Sequence, residues 1–235
     1  MTATQTVTDR LPVADRLALA LDVDDMVAAR RLAIDLAPYF SVAKVGMELY
    51  AATGPEIVGI LEDLGFDVFL DLKLLDTPDT VGRTAQVLGA LGAKYLTVHA
   101  FGGVEMMQAG VQGFAEGAAN AGLSDPTVIA VTILTSDGGA PPHIMGKRAA
   151  TAVEAGCGGV FCAASDLVEA RQIAPRLLRV VPGIRPAGTP THDQARTAAP
   201  KEAVDAGADL LVLGRAVTQA ADPVAAAAAV CAELS

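Results

Sequence analysis

The sequence predicts an α/β fold in which eight parallel strands and their helices close into a (β/α)8 TIM barrel, a single domain over residues 1–235. Three observations predict it. Short, apolar, β-rich runs recur eight times. The segments between them carry Ala and Leu at helical spacing and end near Gly or Pro. The length of 235 residues approaches the ~250 typical of such barrels. A doubly wound open sheet satisfies the same periodicity, which does not by itself show closure.

The elements follow in order. The opening MTATQTVTDRLPVADR has no apolar core like that of a signal peptide, and residues 1–14 read as an N-terminal extension. LALALDV (17–23) is the first strand, and DDMVAARRLAIDLAPYF the first helix, with Asp24 and Asp25 in its first turn where the helix dipole favours them. VAKVGM (42–47) and VFLDLK (68–73) are the second and third strands, followed by the helical TVGRTAQVLGALGA. YLTVHA (95–100), VIAVTIL (128–134), GVFCAA (159–164) and RVVPGI (179–184) supply the next four. HDQARTAAPKEAVDAGA reads as the helix before the eighth strand, LLVLGRA (210–216), and the VAAAAAV run as the last helix, packed outside the barrel. No low-complexity linker divides the chain.

Composition narrows the function. With 52% hydrophobic residues the chain can bury one extensive core. A formal net charge of -10 argues against nucleic-acid binding, which needs a basic footprint to displace counterions, so any phosphate must be held by a few local Arg or Lys residues. Cys157, Cys162 and Cys231 are odd in number and lack C-x-x-C spacing; they read as buried free thiols of a reducing cytosol. No run reaches the length of a membrane span. A soluble cytoplasmic protein is expected.

The third strand departs from the apolar pattern. VFLDLKLLDTPDT begins as a buried strand and then places Asp71, Lys73 and Asp76 where a core strand keeps apolar residues. Isolated charges are costly to bury, so these should be paired, liganded or at a solvent-accessible strand end. In a parallel barrel, functional groups gather at the C-terminal ends of the strands. Asp22 ends the first strand, Lys44 lies in the second, Asp71 and Lys73 end the third, and Asp76 opens the loop beyond. Strand alternation puts Asp71 and Lys73 on one face, opposite Leu70 and Leu72.

Taken singly, each charge is explained by a structural ion-pair lattice. Together Lys44, Asp71, Lys73 and Asp76 alternate in sign, and the expectation is an acid–base chain in which each charge has an opposite neighbour. A rigidly held cationic lysine suits a reaction passing through a carbanion. Gly183 and Arg185 follow the seventh strand, and Gly214 and Arg215 the eighth, the frequent phosphate-binding loops of this fold. Glycine admits backbone N–H groups to an anion, and arginine adds a charge-assisted grip.

These residues resemble a known family. D-L-K-L-L-D-T, Asp71 to Thr77, is similar to the D-x-K-x-x-D signature of the orotidine 5′-phosphate decarboxylases. LALALDVDD, VAKVGMELYAATGPEIV, LTVHAFGG, VTILTS, PGIRP with a later HDQ, and LVLGRAVTQAADP extend the resemblance in the same order over nearly the whole chain. It implies decarboxylation of orotidine 5′-phosphate to uridine 5′-phosphate, with no metal or organic cofactor, in a dimeric barrel with no nucleic-acid or membrane partner. It further implies that Lys73 stabilises and protonates the C6 carbanion, that Asp71 faces the departing carboxylate, that Lys44 bridges to a ribose hydroxyl and that Asp22 binds the ribose. Asp76, with Thr77 and Thr80, would come from the partner subunit. Thr135 would meet the pyrimidine; Arg185, Gln194, Gly214 and Arg215 would form the phosphate site, under a lid at PAGTPTHD.

Two alternatives share the barrel. Magnesium-dependent sugar-phosphate decarboxylases and hexulose-phosphate synthases carry the same D-x-K-x-x-D, with a metal-binding Glu where this chain has Lys44, and an ammonium cannot ligate magnesium. A non-catalytic nucleotide-binding barrel would most simply lose Lys73 or Asp71, and both are present. His99, at the end of the fourth strand, reads as a structural hydrogen-bonding residue, since decarboxylation needs no base. His143 and His192 read as solvated loop residues.

Overall fold

In LALAL the leucines and alanines have separate destinations. In the computed structural model, which describes residues 12–123, 126–141, 143–186 and 195–235, β1 (Leu17–Leu21) sends Leu17, Leu19 and Leu21 into the layer shared with the outer helices. Ala18 and Ala20 face the barrel interior, with Val42, Phe69, Ile129, Val131, Phe161, Val180, Leu210 and Val212. Both faces are covered, so every residue of β1 is buried, as expected of a parallel sheet lined by helices.

The remaining strands are β2 (Val42–Gly46), β3 (Asp67–Leu74), β4 (Tyr95–His99), β5 (Thr127–Val131), β6 (Gly159–Phe161), β7 (Leu178–Val181) and β8 (Leu210–Leu213). They pair in parallel and in sequence order, and β1 pairs with both β2 and β8, so the barrel is closed. Closure removes the open-sheet alternative.

The helices sharpen several boundaries. Asp25 is the N-cap of the helix Met26–Leu36 rather than a first-turn residue; its carboxylate accepts from the Ala28 amide at 2.9 Å. Of the helical reading across 192–208, the described part yields only the short helix Pro200–Asp205, with Pro200 starting it. The alanine-rich helix Pro223–Leu234 turns Ala227, Val230 and Cys231 inward. Residues 1–11 of the expected extension lie outside the described residues, while Pro12–Arg16 forms a 3₁₀ turn. There Ala14 is buried and its carbonyl accepts from the Ser41 amide and hydroxyl. Cys157, Cys162 and Cys231 are free and buried, and burial pushes the first two thiols up to about 12. No described helix is long and apolar enough to cross a membrane.

Candidate active site

The interior alternation that fills the barrel also builds the site at its mouth. Continuing the inward series by two residues leads from Ala20 to Asp22, from Val42 to Lys44, from Phe69 to Asp71, and from Tyr95 to Thr97. Below the charges, the Phe69 ring meets Tyr95 and Phe161 edge-on, at centroid distances of 5.8 and 6.2 Å. Above that aromatic layer the charges form a chain. Lys44 Nζ lies 3.2 Å from Asp22 Oδ1 and 3.4 Å from Asp71 Oδ2, and Lys73 Nζ lies 2.8 Å from Asp71 Oδ1. The Lys73 ammonium also stands 5.6 Å from the centre of the Phe161 ring.

Burial grades this chain. The side chains of Lys44 and Asp71 are 8% and 5% exposed, that of Lys73 is 25% exposed, and Asp22 is open to solvent. Desolvation by itself would lower the pKa of Lys44 and raise that of Asp71. The charges of Asp71 and Asp22 reverse the effect on Lys44, which is raised above its ordinary 10.5. The charges of Lys44 and Lys73, with hydrogen bonds from Lys73 and Thr97, reverse it on Asp71, which is lowered below its ordinary 3.8. Both ions are therefore charged at neutral pH.

Lys73 reaches this position by leaving strand geometry. Its φ is 51°, in the left-handed region that side chains other than glycine rarely adopt, and the β3–β4 register shifts between Leu70 and Leu74. Such a conformation costs on the order of 1–3 kcal/mol and persists where surrounding contacts hold it. Here the Lys73 amide donates to Thr97 Oγ1 at 2.8 Å, and the Thr97 hydroxyl donates to Asp71 Oδ1 at 3.0 Å.

The charges line a cavity of about 370 Å³. Asp22, Lys44, Asp71 and Lys73 line it together with Thr135, Gly183, Arg185, Gly214 and Arg215, so the structure gathers nine of the expected site residues from six strands and the loops after them. Gly183 has a φ of 75°, which suits glycine, and it turns the chain so that the Arg185 amide can bond Ala198 O at 2.9 Å. A Cβ on Gly214 would sit 3.4 Å from Asp22 Oδ2, and one on Gly46 would sit 3.3 Å from Asp22 Oδ1; the absence of side chains there keeps the mouth open. Gln194 and the expected lid lie outside the described residues, except Pro186. The chain beyond them is anchored by Ala195 N, which bonds Thr135 O, and by Arg196, which pairs with Asp166 and donates to the carbonyls of Ile133 and Leu134.

Asp76, Thr77 and Thr80 are not in the lining. Asp76 accepts from the Thr77 amide at 2.6 Å, and Thr77 caps the helix Pro78–Ala90, accepting from the Thr80 amide and donating to Thr80 Oγ1. His99 Nδ1 accepts from the Phe101 amide, and desolvation, with the charges of Arg148 and Lys73, lowers its pKa. This is the hydrogen-bonding place expected of it. His143 is exposed but begins the helix His143–Glu154 instead of lying in a loop, and His192 is outside the described residues.

The sequence reading assigned no role to Thr97 or Phe161. Each sits in a strand run that was recognised, and period-two counting places Thr97 inward between Tyr95 and His99. Among the described residues, no group of three or more His, Cys, Asp or Glu side chains is arranged to hold a metal ion.

Residues 15–230 match the family described as orotidine 5′-phosphate decarboxylase / HUMPS family. The orotidine 5′-phosphate decarboxylase of Anaeromyxobacter sp. (strain K) is 44% identical over 231 residues, covering 94% of this chain and 98% of that protein. The enzyme of the same name from Moorella thermoacetica is 40% identical over 237 residues, covering 96% of this chain and 94% of that one. Among solved structures, orotidine 5′-phosphate decarboxylase from Lactobacillus acidophilus is similar with a TM-score of 0.79 at 33% identity, over 93% of this chain and 98% of that one. The alternating charges, the barrel and these likenesses agree, and the chain belongs to the orotidine 5′-phosphate decarboxylase / HUMPS family.

Proposed function

We propose that the chain, as one catalytic domain, decarboxylates orotidine 5′-phosphate to uridine 5′-phosphate and carbon dioxide in pyrimidine biosynthesis. The observation that carries this reading is the chain Asp22–Lys44–Asp71–Lys73, lining a cavity that Arg185 and Arg215 also line.

The chemistry follows from the charges. Breaking the C6–carboxylate bond leaves an electron pair on an sp² carbon that has no good electron sink. Stabilisation must come from a preorganised charge near C6. Lys73 supplies an ammonium held by Asp71, with no side-chain reorganisation required as the negative charge develops. Its proton passes to C6, and the resulting amine takes a proton back from solvent. Asp22 and Lys44 hold the ribose, Thr135 meets the pyrimidine, and Gly183, Arg185, Gln194, Gly214 and Arg215 hold the phosphate. Because the phosphate lies away from the reacting bond, its binding energy can serve alignment and closure.

The reading extends to a homodimer with shared sites. Asp76, Thr77 and Thr80 stay out of their own chain's cavity, and two apolar side chains at this end of the barrel, Leu75 before Asp76 and Phe101 after β4, are 49% and 70% exposed. This supports their serving the cavity of a second copy, whose contact would cover the apolar rim. The free buried thiols fit a reducing cytoplasm.

The magnesium-dependent alternative is disfavoured by Lys44, which stands as an ammonium between Asp22 and Asp71 where that chemistry needs a carboxylate. The test is to incubate the purified protein with orotidine 5′-phosphate in EDTA and follow the pyrimidine absorbance. Turnover should be unaffected by the chelator. Activity lost on chelation and restored by magnesium would replace this reading with the sugar-phosphate one.

A further inference from the structure

Thr97 is fully buried on β4 and does not line the cavity. Its hydroxyl nevertheless joins the two parts of the site that must keep register. The hydrogen goes to Asp71 Oδ1 at 3.0 Å, and the oxygen accepts the Lys73 amide at 2.8 Å. A hydroxyl offers one hydrogen and two lone pairs, so both bonds form at once. The second bond falls where the β3–β4 pairing shifts register and Lys73 turns into the left-handed region. There a side chain of β4 supplies the acceptor for a backbone amide of β3. The first bond orients the carboxylate oxygen that also receives Lys73 Nζ at 2.8 Å. Thr97 thus constrains Lys73 from both ends, by its amide and, through Asp71, by its ammonium.

We propose that Thr97 is a positioning residue for the decarboxylation, its hydroxyl locking the strained Lys73 backbone and the Asp71 carboxylate into the arrangement that holds the Lys73 ammonium at the reacting carbon. The inference rests on the function proposed above. Catalysis by a preorganised charge is sensitive to small displacements, whereas product binding through the ribose and phosphate is not tied to Lys73. Losing the hydroxyl should therefore lower kcat and leave nucleotide affinity in place.

The test compares wild type with Thr97→Val, which keeps the side-chain shape without the hydroxyl, and with Thr97→Ser, which keeps the hydroxyl. The measurements are kcat and KM in EDTA, the Kd of uridine 5′-phosphate by calorimetry, and the thermal midpoint. Thr97→Val should lose about 10- to 100-fold in kcat, the size of a lost hydrogen bond to a charged group, with the product Kd within about twofold of wild type. Thr97→Ser should recover most of the rate even if its midpoint is lower, an order that a purely structural role would not produce. The acid limb of the kcat profile should move to higher pH in Thr97→Val, because Asp71 has lost a donor. Should Thr97→Val not fold, Thr97→Cys, a weaker donor and acceptor of similar size, should fall below Thr97→Ser in kcat. Wild-type kcat in the folded Val or Cys variant, or Ser as impaired as Val, would overturn the role of Thr97. An inactive wild type would instead overturn the assigned reaction, and the inference with it.

Discussion

Lys44 Nζ stands 3.4 Å from Asp71 Oδ2 with both side chains nearly sealed from solvent, while the other oxygen of Asp71 is taken by Lys73 at 2.8 Å. Burial would discharge each partner alone, and pairing keeps both charged. The pH dependence of stability follows. Asp71, with its folded pKa depressed, contributes fully above its ordinary 3.8, and that contribution is lost as pH falls below 3.8 through the folded value. Lys44, with its folded pKa raised, contributes fully below 10.5 and loses its contribution as pH rises through the folded value. Asp71→Asn should therefore be less stable at pH 7 by about 3 kcal/mol, with a shallower acid limb in urea-unfolding free energy. Equal acid limbs in the two proteins would place the acid sensitivity in other carboxylates.

Replacement of Lys73 separates chemistry from binding. Lys73→Ala removes the ammonium beside Asp71 but leaves Arg185 and Arg215 in the cavity lining. Turnover should fall by about 10⁴-fold or more, combining the loss of proton donor and electrostatic stabiliser. Uridine 5′-phosphate should still bind, as measured by calorimetry. A turnover within tenfold of wild type would remove Lys73 from its assigned role.

A third prediction concerns what holds the Thr77–Thr80 segment. The helix Pro78–Ala90, which Thr77 caps, packs backbone to backbone on the helix Gly103–Asn120. A Cβ on Gly113 would come within 2.1 Å of Gly82 O, and one on Gly117 within 1.9 Å of Gln86 O. Gly113→Ala must push the helices apart and should cost about 3 kcal/mol. Gly59→Ala is the contrast: Gly59 lies in the helix Glu56–Asp63 with open space around its Cβ position, so this change should stabilise by about 0.5–1 kcal/mol. Thermal or urea unfolding checks both, and equal effects would show that the crossing is not close-packed.

Period-two counting placed Asp71 and Lys73 on one face of β3, because strand alternation is set by backbone geometry alone. The alternation of charge sign added Lys44, and the loops after the seventh and eighth strands added the Gly and Arg positions. Period-two counting by itself could not show the left-handed turn at Lys73, since no glycine or asparagine marks it and the contacts that hold it come from β4. Thr97 was visible as an inward residue, but its two bonds depend on the register shift between Leu70 and Leu74, a tertiary outcome. The segment 192–208 read as a long helix from its alanines, yet the described helix begins only at Pro200; alanine spacing shows helical propensity without locating the start.

The last prediction tests the shared site. Asp76, Thr77 and Thr80 lie outside their own cavity, whereas Lys73 lines it. If Asp76 completes the site of the partner, Lys73→Ala and Asp76→Asn lesions should complement each other. Each variant alone is expected to be inactive. When the two proteins are mixed and exchange subunits, a mixed dimer has one site with both lesions and another that combines an intact Lys73 with an intact Asp76. For a two-fold dimer with random exchange, half the dimers are mixed and each holds one intact site, so roughly a quarter of wild-type activity should return. If each chain built its site alone, every site would retain a lesion and the mixture would stay inactive. Native mass spectrometry can establish that exchange has occurred. Exchange without recovered activity would refute the shared site and leave the decarboxylase reading in place, because that reading rests on charges contributed by a single chain.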